Sequence, residues 1–297
     1  MLEGGDALVI LLFAAVVLSW GFSWYAITLQ VGDVSALVSV AYRFVLAASL
    51  MCGWLAFSGR WSLIPLKDQV LVLALGVCMF SLNFVCFYVA AIYLPSGLLS
   101  VVFAAASIFG GINASIFLGK PFERKIALAA TLGTCGLALL LGKEIEIDSS
   151  NHVPFWAIML PFIGTYLFSI GNIVSAKLTR TYSVFNVAGQ GMAWGAASLI
   201  VLCFLSGTEF RIPSSSLYWV GLAYLAIIAS LLAFLTYLAL VRRIGVARTS
   251  YATVLFPIVA MFVSTWAEGY EWSLTTNLGL SMTLLGAYLI FRKSPNS

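Results

Sequence analysis

The sequence predicts an all-α integral membrane protein with ten transmembrane helices, arranged as two inverted five-helix repeats with both termini in the cytoplasm. Three observations lead to this prediction: the composition, the distribution of basic residues between loops, and an internal repeat. Of the 297 residues, 62% are hydrophobic and 9% are charged, and the mean hydropathy is +1.05. Soluble proteins are about 25% charged, so this composition excludes an ordinary globular enzyme and a disordered chain.

Ten apolar runs are bounded by charged residues, proline or glycine, and each is long enough to cross a hydrocarbon core about 30 Å thick. They lie at residues 7–29, 34–57, 69–92, 95–118, 124–142, 153–177, 184–205, 217–241, 246–267 and 274–291. The first run is too long for the apolar part of a signal peptide, and Glu3 and Asp6 stand where a signal peptide has basic residues. We therefore expect the first run to be a retained helix.

The basic residues assign an orientation to these spans. With a cytoplasmic N-terminus, the predicted inner loops hold 12 of the 15 Lys and Arg residues, and the outer loops hold only Lys143 and Arg211. The remaining basic residue, Arg43, lies inside the second span. An excess of basic residues in cytoplasmic loops is the usual pattern of inner-membrane proteins, and it indicates an even number of spans with both termini inside.

The two halves of the chain share short matches at an offset of about 149 residues. Residues 47–50 (AASL) match residues 196–199, and Tyr88 meets Tyr237. Because each half has five spans, the second half must enter the membrane from the opposite side, as in many secondary transporters. We predict a first repeat at residues 1–148 and a second, inverted repeat at residues 149–297. The alternative is that these matches arose by chance in a sequence of low residue diversity.

No group of residues indicates a cofactor, a metal ion or a catalytic centre. The five cysteines form no CxxC pair, and the single histidine, His152, has no cluster of potential ligands around it. Basic residues are scattered, without the patch that nucleic-acid binding needs. We expect no enzyme activity; the expected partners are a small-molecule substrate and the lipid bilayer. The GxxxG spacing of Gly191 and Gly195 permits a weak dimer as an alternative to a monomer.

Two sets of residues form a pattern along the chain. The second half contains Ala239-Leu240, Gly245-Val246-Ala247, Tyr251, Pro257 and Glu268; the first half contains Trp20-Gly21, Arg43-Phe44, Asn83 and Ala90-Ala91 before Pro95. Over essentially the whole chain this pattern resembles the EamA-like branch of the drug/metabolite transporter superfamily. The first half departs from the pattern, since Ile108 and Gly119 align with Pro257 and Glu268.

The resemblance implies a secondary transporter of the bacterial inner membrane that works by alternating access. In length, topology and aromatic content the chain is most similar to exporters of amino acids, including aromatic and hydrophobic ones, and of related small metabolites. No Asp or Glu is predicted near the midplane, where proton-coupled carriers place a titratable group, so we expect gradient-driven uniport. A carrier of the same fold for phosphorylated or nucleotide-linked metabolites, a channel and a membrane enzyme are the alternatives.

Depth along the spans selects the candidate substrate-binding residues, because such transporters bind substrate near the midplane. They are Trp20, Trp24, Arg43, Asn83, Tyr88, Phe103, Ser107, Tyr166, Tyr237 and Tyr251. Neutral amide and hydroxyl groups bond to the charged head of an amino acid, and aromatic walls accept varied side chains. For each aromatic residue, packing between helices is the alternative.

Three residues suggest more specific roles. A charge deep inside a span, such as Arg43, costs about 2.5–3.5 kcal/mol on insertion scales. Arg43 therefore either binds a carboxylate, or has a structural role at helix-end carbonyls, or snorkels outward from the outer half of the span. Pro257 removes one backbone hydrogen bond and predicts a hinge, or a kink needed only for packing. Glu268 ends the same span and is predicted to gate the outer mouth, or else to be an exposed helix end.

Overall fold

The computed structural model describes residues 4–32, 34–118, 124–147, 153–244 and 252–291, and these residues are largely helical. The helices of the first half are α1 (Gly4–Thr28), α2 (Ala36–Phe57), α3 (Leu66–Phe80), α4 (Leu82–Ala90), α5 (Ser96–Ala104), α6 (Ala106–Leu118) and α7 (Arg124–Ile147). Those of the second half are α8 (Phe155–Leu178), α9 (Val184–Leu205), α10 (Ser216–Ala223), a π-helical segment (Tyr224–Leu232), α11 (Ala233–Ile244), α12 (Ala252–Glu268) and α13 (Leu274–Phe291).

Seven helical stretches in the described part of the chain are long and apolar enough to cross a membrane. They are Ala7–Thr28, Ala36–Phe57, Leu66–Ala90, Ser96–Phe117, Phe155–Leu178, Val184–Leu205 and Ser216–Tyr237. Each coincides with a predicted span to within a few residues. The shorter apolar helices Ala127–Leu141 and Ala252–Glu268 lie within the fifth and ninth predicted spans. The chain is a multi-pass membrane protein; ten crossings, inverted repeats and cytoplasmic termini stay predictions.

The helices expose large apolar side chains that water would not tolerate in such number. Phe57 is 96% exposed and Trp266 is 87% exposed, and many leucines and isoleucines are at least half exposed. A soluble protein rarely exposes extended apolar surface, whereas lipid tails are as apolar as these side chains. The exposed apolar surface therefore has the character that a bilayer requires.

Contacts divide the chain into two compact units that interleave along the sequence. Unit 1 comprises Met1–Tyr25, Tyr93–Met159 and Ala233–Ser297, and unit 2 comprises Ala26–Ile92 and Leu160–Leu232. Each unit draws on both halves of the chain. The predicted repeats, residues 1–148 and 149–297, follow sequence order instead, so they describe a different division of the chain and stay a prediction.

Small residues bring the helices of unit 1 close together. A Cβ atom on Gly136 of α7 would lie 2.6 Å from the carbonyl oxygen of Gly279 in α13, and the reverse distance is also 2.6 Å. A Cβ atom on Gly286 would lie 2.7 Å from the carbonyl oxygen of Ala129. Because lipid supplies no hydrophobic force between helices, close backbone approach at glycines is a main source of packing energy in membranes.

In unit 2, glycines bring α3 against α9. A Cβ atom on Gly76 would lie 2.7 Å from the carbonyl oxygen of Gly191 and 2.7 Å from the amide nitrogen of Gly195. The GxxxG spacing of α9 therefore forms a helix contact within one chain, a role that the sequence analysis did not consider. The oligomeric state stays a prediction.

The connection between α2 and α3 is held by two amide side chains of α9. Asn186 donates from Nδ2 to the carbonyl oxygen of Arg60 (3.0 Å) and accepts at Oδ1 from the backbone N–H of Ser62 (2.9 Å). Gln190 donates from Nε2 to the carbonyl oxygen of Ser62 (2.9 Å) and accepts at Oε1 from the N–H of Ile64 (3.1 Å). We name these two side chains the amide clasp. They satisfy backbone groups that no helix pairs.

Further side chains support the amide clasp. Gln69 of α3 donates from Nε2 to Oε1 of Gln190 (3.2 Å) and accepts at Oε1 from Nε1 of Trp194 (2.8 Å). Near the start of α3, the hydroxyl of Tyr182 donates to Oδ2 of Asp68 (2.6 Å). This bond raises the pKa of the Tyr182 hydroxyl above its ordinary value, because ionisation would remove the donor.

We expect Asn186→Ala to lower the thermal stability of the purified protein in detergent. The substitution removes two part-buried hydrogen bonds, to the N–H of Ser62 and to the carbonyl of Arg60, and an intramolecular hydrogen bond typically contributes about 0.5–1.5 kcal/mol. Asn277→Ala is the matched control, because Asn277 is exposed and donates only to the carbonyl oxygen of Ser273 (3.0 Å). Equal melting temperatures for the two variants would contradict a supporting role of the clasp.

Candidate functional site

The candidate residues are divided between the two units. Unit 1 contains Trp20, Trp24, Phe103, Ser107, Tyr237, Pro257 and Glu268, and unit 2 contains Arg43, Asn83, Tyr88 and Tyr166. Tyr251 lies outside the described residues. Each unit has its own arrangement of these side chains, and each is described in turn.

Aromatic rings of unit 1 form a group that we name the aromatic cluster: Trp20, Trp24, Phe103, Tyr237 and Phe256. The ring of Trp20 lies 5.3 Å from Tyr237 and 6.2 Å from Phe256, measured between centroids. The ring of Trp24 lies 5.5 Å from Phe103 and 6.2 Å from Phe256, and the rings of Phe103 and Phe256 are 5.9 Å apart. The cluster thus brings together four predicted residues around Phe256, which the sequence analysis missed.

The cluster forms because α1 approaches α12 closely. A Cβ atom on Gly21, next to Trp20, would lie 2.6 Å from Cβ of Val259, so only glycine allows this approach. Phe256 precedes Pro257 and is 1% exposed. Helix α12 continues on both sides of Pro257, which has no N–H to donate to the preceding turn. A hinge at Pro257 stays a prediction.

Two predicted residues have less distinctive surroundings. The hydroxyl of Ser107 donates to the carbonyl oxygen of Ala104 (2.9 Å), the last residue of α5. It therefore satisfies a helix end within its own span. Tyr166 of α8 is 39% exposed.

Arg43 is the one charged side chain classed as buried in the described part of the chain, with 3% of its surface exposed. Its Nε donates to Oγ of Ser230 (3.1 Å) in the π-helical segment. Its Cζ lies 4.2 Å from the ring centroid of Phe84 and 5.3 Å from that of Phe44. Nη1 is buried without a hydrogen-bond partner. These contacts differ from the helix-end carbonyls that the structural interpretation proposed.

Arg43 has no carboxylate partner among the described residues, where the observed salt bridge joins Arg211 to Glu209. Cation–π contacts with Phe84 and Phe44 offset part of the desolvation of the guanidinium. A buried charge without a counter-ion is costly unless further hydrogen bonds satisfy it. The Arg43 guanidinium is therefore a desolvated positive charge, and its Nη1 remains available to donate to an acceptor.

Tyr88 of α4 connects Arg43 to the end of the first span. Its hydroxyl donates to Oε1 of Gln30 (2.7 Å) and lies within interaction range of the Arg43 guanidinium. Gln30 is 1% exposed, and its Nε2 is buried without a partner. Gln30 is a residue that sequence reasoning missed, because it follows the first predicted span and its sequence context resembles a loop.

Asn83 is fully buried, and neither its Oδ1 nor its Nδ2 has a hydrogen-bond partner. It lies just after the interruption between α3 and α4, where Ser81 has φ −134° and ψ −92°. Ser198 donates to Oγ of Ser81 (3.1 Å), and a Cβ atom on Gly164 would lie 2.8 Å from the carbonyl oxygen of Asn83. An unpaired buried amide is costly, and the polar surroundings expected for Asn83 stay a prediction.

The helical hydrogen-bond pattern is broken or altered within five of the predicted spans, and broken helices in transporters accompany substrate sites. The irregular positions are Ser81, Ala105, the π-helical segment (Tyr224–Leu232), and Pro161 and Pro257 inside continuous helices. The two prolines carry a sequence signal, since proline has no N–H for the hydrogen-bond pattern of a helix. A π-helical turn is also common at functional sites.

Glu268 binds the start of α5 within unit 1. Its Oε2 accepts from Oγ of Ser96 (2.6 Å), and its two carboxylate oxygens accept from the N–H of Ser96 at 3.3 and 3.2 Å. A carboxylate at a helix N-terminus is favourable because it pairs with unbonded N–H groups and with the helix dipole. Glu268 therefore joins the end of α12 to the start of α5, and its predicted gating role stays a prediction.

Comparison with known proteins identifies the family. The model of the EamA-like transporter family matches residues 7–142 and 155–292. The chain belongs to the EamA-like transporter family. This confirms the resemblance seen in the sequence, and it shows that the protein is a transporter and not an enzyme.

Relatives in this family cover nearly the whole chain. An uncharacterized transporter of Archaeoglobus fulgidus is 25% identical over 95% of this chain and 98% of its own. The uncharacterized inner membrane transporter YedA of Escherichia coli K12 is 25% identical over 94% of this chain and 89% of its own. Protein PagO of Salmonella typhimurium is 22% identical over 94% and 91%. A protein of known crystal structure, 17% identical, shares the fold with a TM-score of 0.66 over 95% of this chain and 96% of that one.

We expect Glu268→Ala to lower the melting temperature of the detergent-solubilised protein. Removing a helix-capping carboxylate costs about 0.5–2 kcal/mol. Glu209→Ala is the matched control, since its ion pair with Arg211 is exposed and exposed pairs contribute little. If Ser96→Ala and Glu268→Ala destabilise additively in the double variant, the two side chains are not coupled, and the assignment is wrong.

Proposed function

We propose that this EamA-family transporter exports amino acids, including aromatic and hydrophobic ones, and related small metabolites across the bacterial inner membrane. The observation that carries the proposal is Arg43, a buried guanidinium with an unpaired N–H and no carboxylate partner in the described residues. The carboxylate of an amino acid supplies both the missing charge and the missing acceptor. The inner-membrane relative YedA supports the location.

A single buried cation favours a carboxylate over a phosphate group. Among the described residues, Arg43 is the one Lys or Arg classed as buried, and a phosphate carries about −1.5 to −2 charges near neutral pH. Sites for phosphates usually combine several basic side chains or a helix N-terminus. The charge balance around Arg43 therefore supports an amino acid and disfavours the phosphorylated metabolites considered as the alternative.

The aromatic cluster of unit 1 supports substrates with apolar side chains. Aromatic rings bind apolar groups of different shape, and the hydroxyl or indole N–H of Tyr and Trp adds a polar contact. Trp20 and Tyr237 are partly exposed, so the cluster presents ring surface as well as packed ring contacts. Aromatic and large aliphatic amino acids fit this surface better than small polar solutes.

The proposed mechanism is alternating access by ten spans in two inverted repeats, driven by the substrate gradient. The sequence places no Asp or Glu near the midplane of a predicted span, and proton-coupled carriers generally use such a group. We therefore favour uniport, which needs no coupling ion. Export then follows from a higher amino-acid concentration inside the cell.

The decisive experiment measures release of labelled L-phenylalanine from proteoliposomes that contain the purified protein. We expect faster release than from protein-free vesicles, and Arg43→Gln should lower the rate about tenfold or more, since a charged hydrogen bond contributes about 1.5–3 kcal/mol. Arg60→Gln is the matched control. Arg60 lies in the connection between α2 and α3, and its guanidinium has a cation–π contact with the ring of Trp54 at 5.6 Å.

Two outcomes would contradict this prediction. Release no faster than from empty vesicles rules out phenylalanine export, and accumulation against a gradient when a pH difference is imposed rules out uniport. The melting temperature of Arg43→Gln is measured alongside, so that a loss of transport with an unchanged melting temperature separates binding from folding. Arg43→Lys keeps the charge and should retain part of the rate.

We expect substitutions in the aromatic cluster to change selectivity. Trp20→Ala and Phe103→Ala should weaken competition by L-phenylalanine more than competition by L-alanine, by a factor of about five to tenfold, because each removes apolar contact area. Trp266→Ala is the matched control, since Trp266 is 87% exposed. Equal losses for both competitors, measured as inhibition of labelled substrate exchange, would show that the cluster only packs the helices.

A further inference from the structure

The bond between Tyr88 and Gln30 sets the orientation of the Gln30 amide. The Arg43 guanidinium carries only donors, so beside it the Tyr88 oxygen acts as acceptor and the Tyr88 hydrogen must point elsewhere. That hydrogen is donated to Oε1 of Gln30 (2.7 Å). The amide nitrogen of Gln30 is therefore directed away from Tyr88, and its two N–H groups remain without an acceptor.

Two unpaired donors consequently belong to the two side chains that interact with one hydroxyl group. Nη1 of Arg43 and Nε2 of Gln30 are both buried and both lack a partner; Gln30 accepts from the Tyr88 hydroxyl, and the Arg43 guanidinium lies within interaction range of it. Buried donors without acceptors are costly. A group with two acceptor oxygens and one negative charge would satisfy both donors and neutralise the guanidinium.

Neighbouring residues hold these side chains in place. The Nε of Arg43 is bound by Ser230 (3.1 Å). A Cβ atom on Gly221 of α10 would lie 3.4 Å from Cγ of Gln30 and 3.0 Å from the carbonyl oxygen of Ala26, so α10 packs directly against the stem of Gln30. Donors that are fixed before a ligand arrives lose less freedom on binding.

A small cavity adjoins this group of side chains. Its volume is about 20 Å³, and it is lined by Gln30, Val31, Gly32, Val34, Ala36, Tyr88 and Ile92. This is room for about one water-sized group, so the cavity admits one carboxylate oxygen beside Gln30 and the second oxygen must lie outside it. The connection contains Gly32 with φ 95°, and a Cβ atom there would meet nothing within 4 Å.

We propose that Arg43, Gln30 and Tyr88 form the carboxylate subsite of this transporter, in which Arg43 supplies the charge and Gln30 sets the preference for a carboxylate. The inference rests on the proposed function and deepens it by naming the head-group contacts. Tyr88 is a positioning residue, since its hydroxyl lies within interaction range of the Arg43 guanidinium and donates to Oε1 of Gln30. The subsite rejects the corresponding amide, because a carboxamide lacks the negative charge that the guanidinium requires and has only one acceptor oxygen for the two donors.

The test compares ligands that differ only in the head group. Binding of L-phenylalanine and of L-phenylalaninamide to the purified full-length protein is measured by isothermal titration calorimetry. We expect the wild type to bind the carboxylate at least about tenfold more tightly than the amide, which corresponds to about 1.4 kcal/mol. Gln30→Met keeps the length of the side chain and removes its donors, and it should reduce this ratio about fivefold.

Two more variants refine the test. Gln30→Glu places a carboxylate beside Arg43, so it should abolish binding of L-phenylalanine while raising the melting temperature. Tyr88→Phe should reduce the carboxylate preference less than Gln30→Met does, and it should act through affinity with little change in the maximal transport rate. Tyr218→Phe is the matched control, because Tyr218 is equally buried in unit 2 and donates to Oγ of Ser39 (3.0 Å).

The outcomes separate this inference from the proposed function. If the wild type binds L-phenylalanine and both Gln30→Met and Tyr88→Phe keep the full carboxylate preference, the subsite is wrong although the function stands. If the wild type does not bind L-phenylalanine, the proposed function fails, and sodium propionate then tests the subsite alone. Thermal stabilisation by propionate in the wild type and not in Gln30→Glu supports the subsite, and equal stabilisation overturns it.

Discussion

The structure depends on one constraint: inside hydrocarbon, every backbone and side-chain polar group must find its partner within the protein. Continuous helices satisfy the backbone along most of the spans. Outside the spans, in the predicted inner loop between α2 and α3, the amide clasp of Asn186 and Gln190 bonds the backbone groups that no helix pairs. Buried groups that remain unpaired in the described residues, such as those on Arg43, Gln30 and Asn83, are therefore positions where a polar solute has much to contribute.

Close packing and polar chemistry are supplied by different kinds of residue. Glycines such as Gly76 and Gly136 let helices approach to backbone contact, which is the main packing device where lipid competes for every apolar surface. The interruptions at Ser81 and along the π-helical segment Tyr224–Leu232 instead open the regular bonding pattern. Ser81 and Ser230 stand 149 residues apart, the offset at which the two halves of the chain match.

Local sequence patterns predicted the positions of most membrane spans. They did not predict many of the contacts in the candidate site. The seventh predicted span, residues 184–205, coincides with α9 (Val184–Leu205), because a bilayer of constant thickness demands an apolar run of constant length. The interruption at Ser81 carries no proline or glycine, so no local signal indicated it. Phe256 and Gln30 were missed for a related reason, since the contacts that distinguish them come from other helices.

The sequence by itself determined that this chain is a multi-pass membrane protein of the EamA-like family, because composition, span length and family pattern are properties that can be read along one dimension. Tertiary structure alone decided which polar groups meet. Arg43 bonds to Ser230 across 187 residues of sequence, and Gln30 meets Tyr88 across 58. Helix packing in three dimensions determines which of these side chains meet. Because a donor left unpaired away from water is costly, the unpaired donors beside these pairs indicate which groups a substrate should supply.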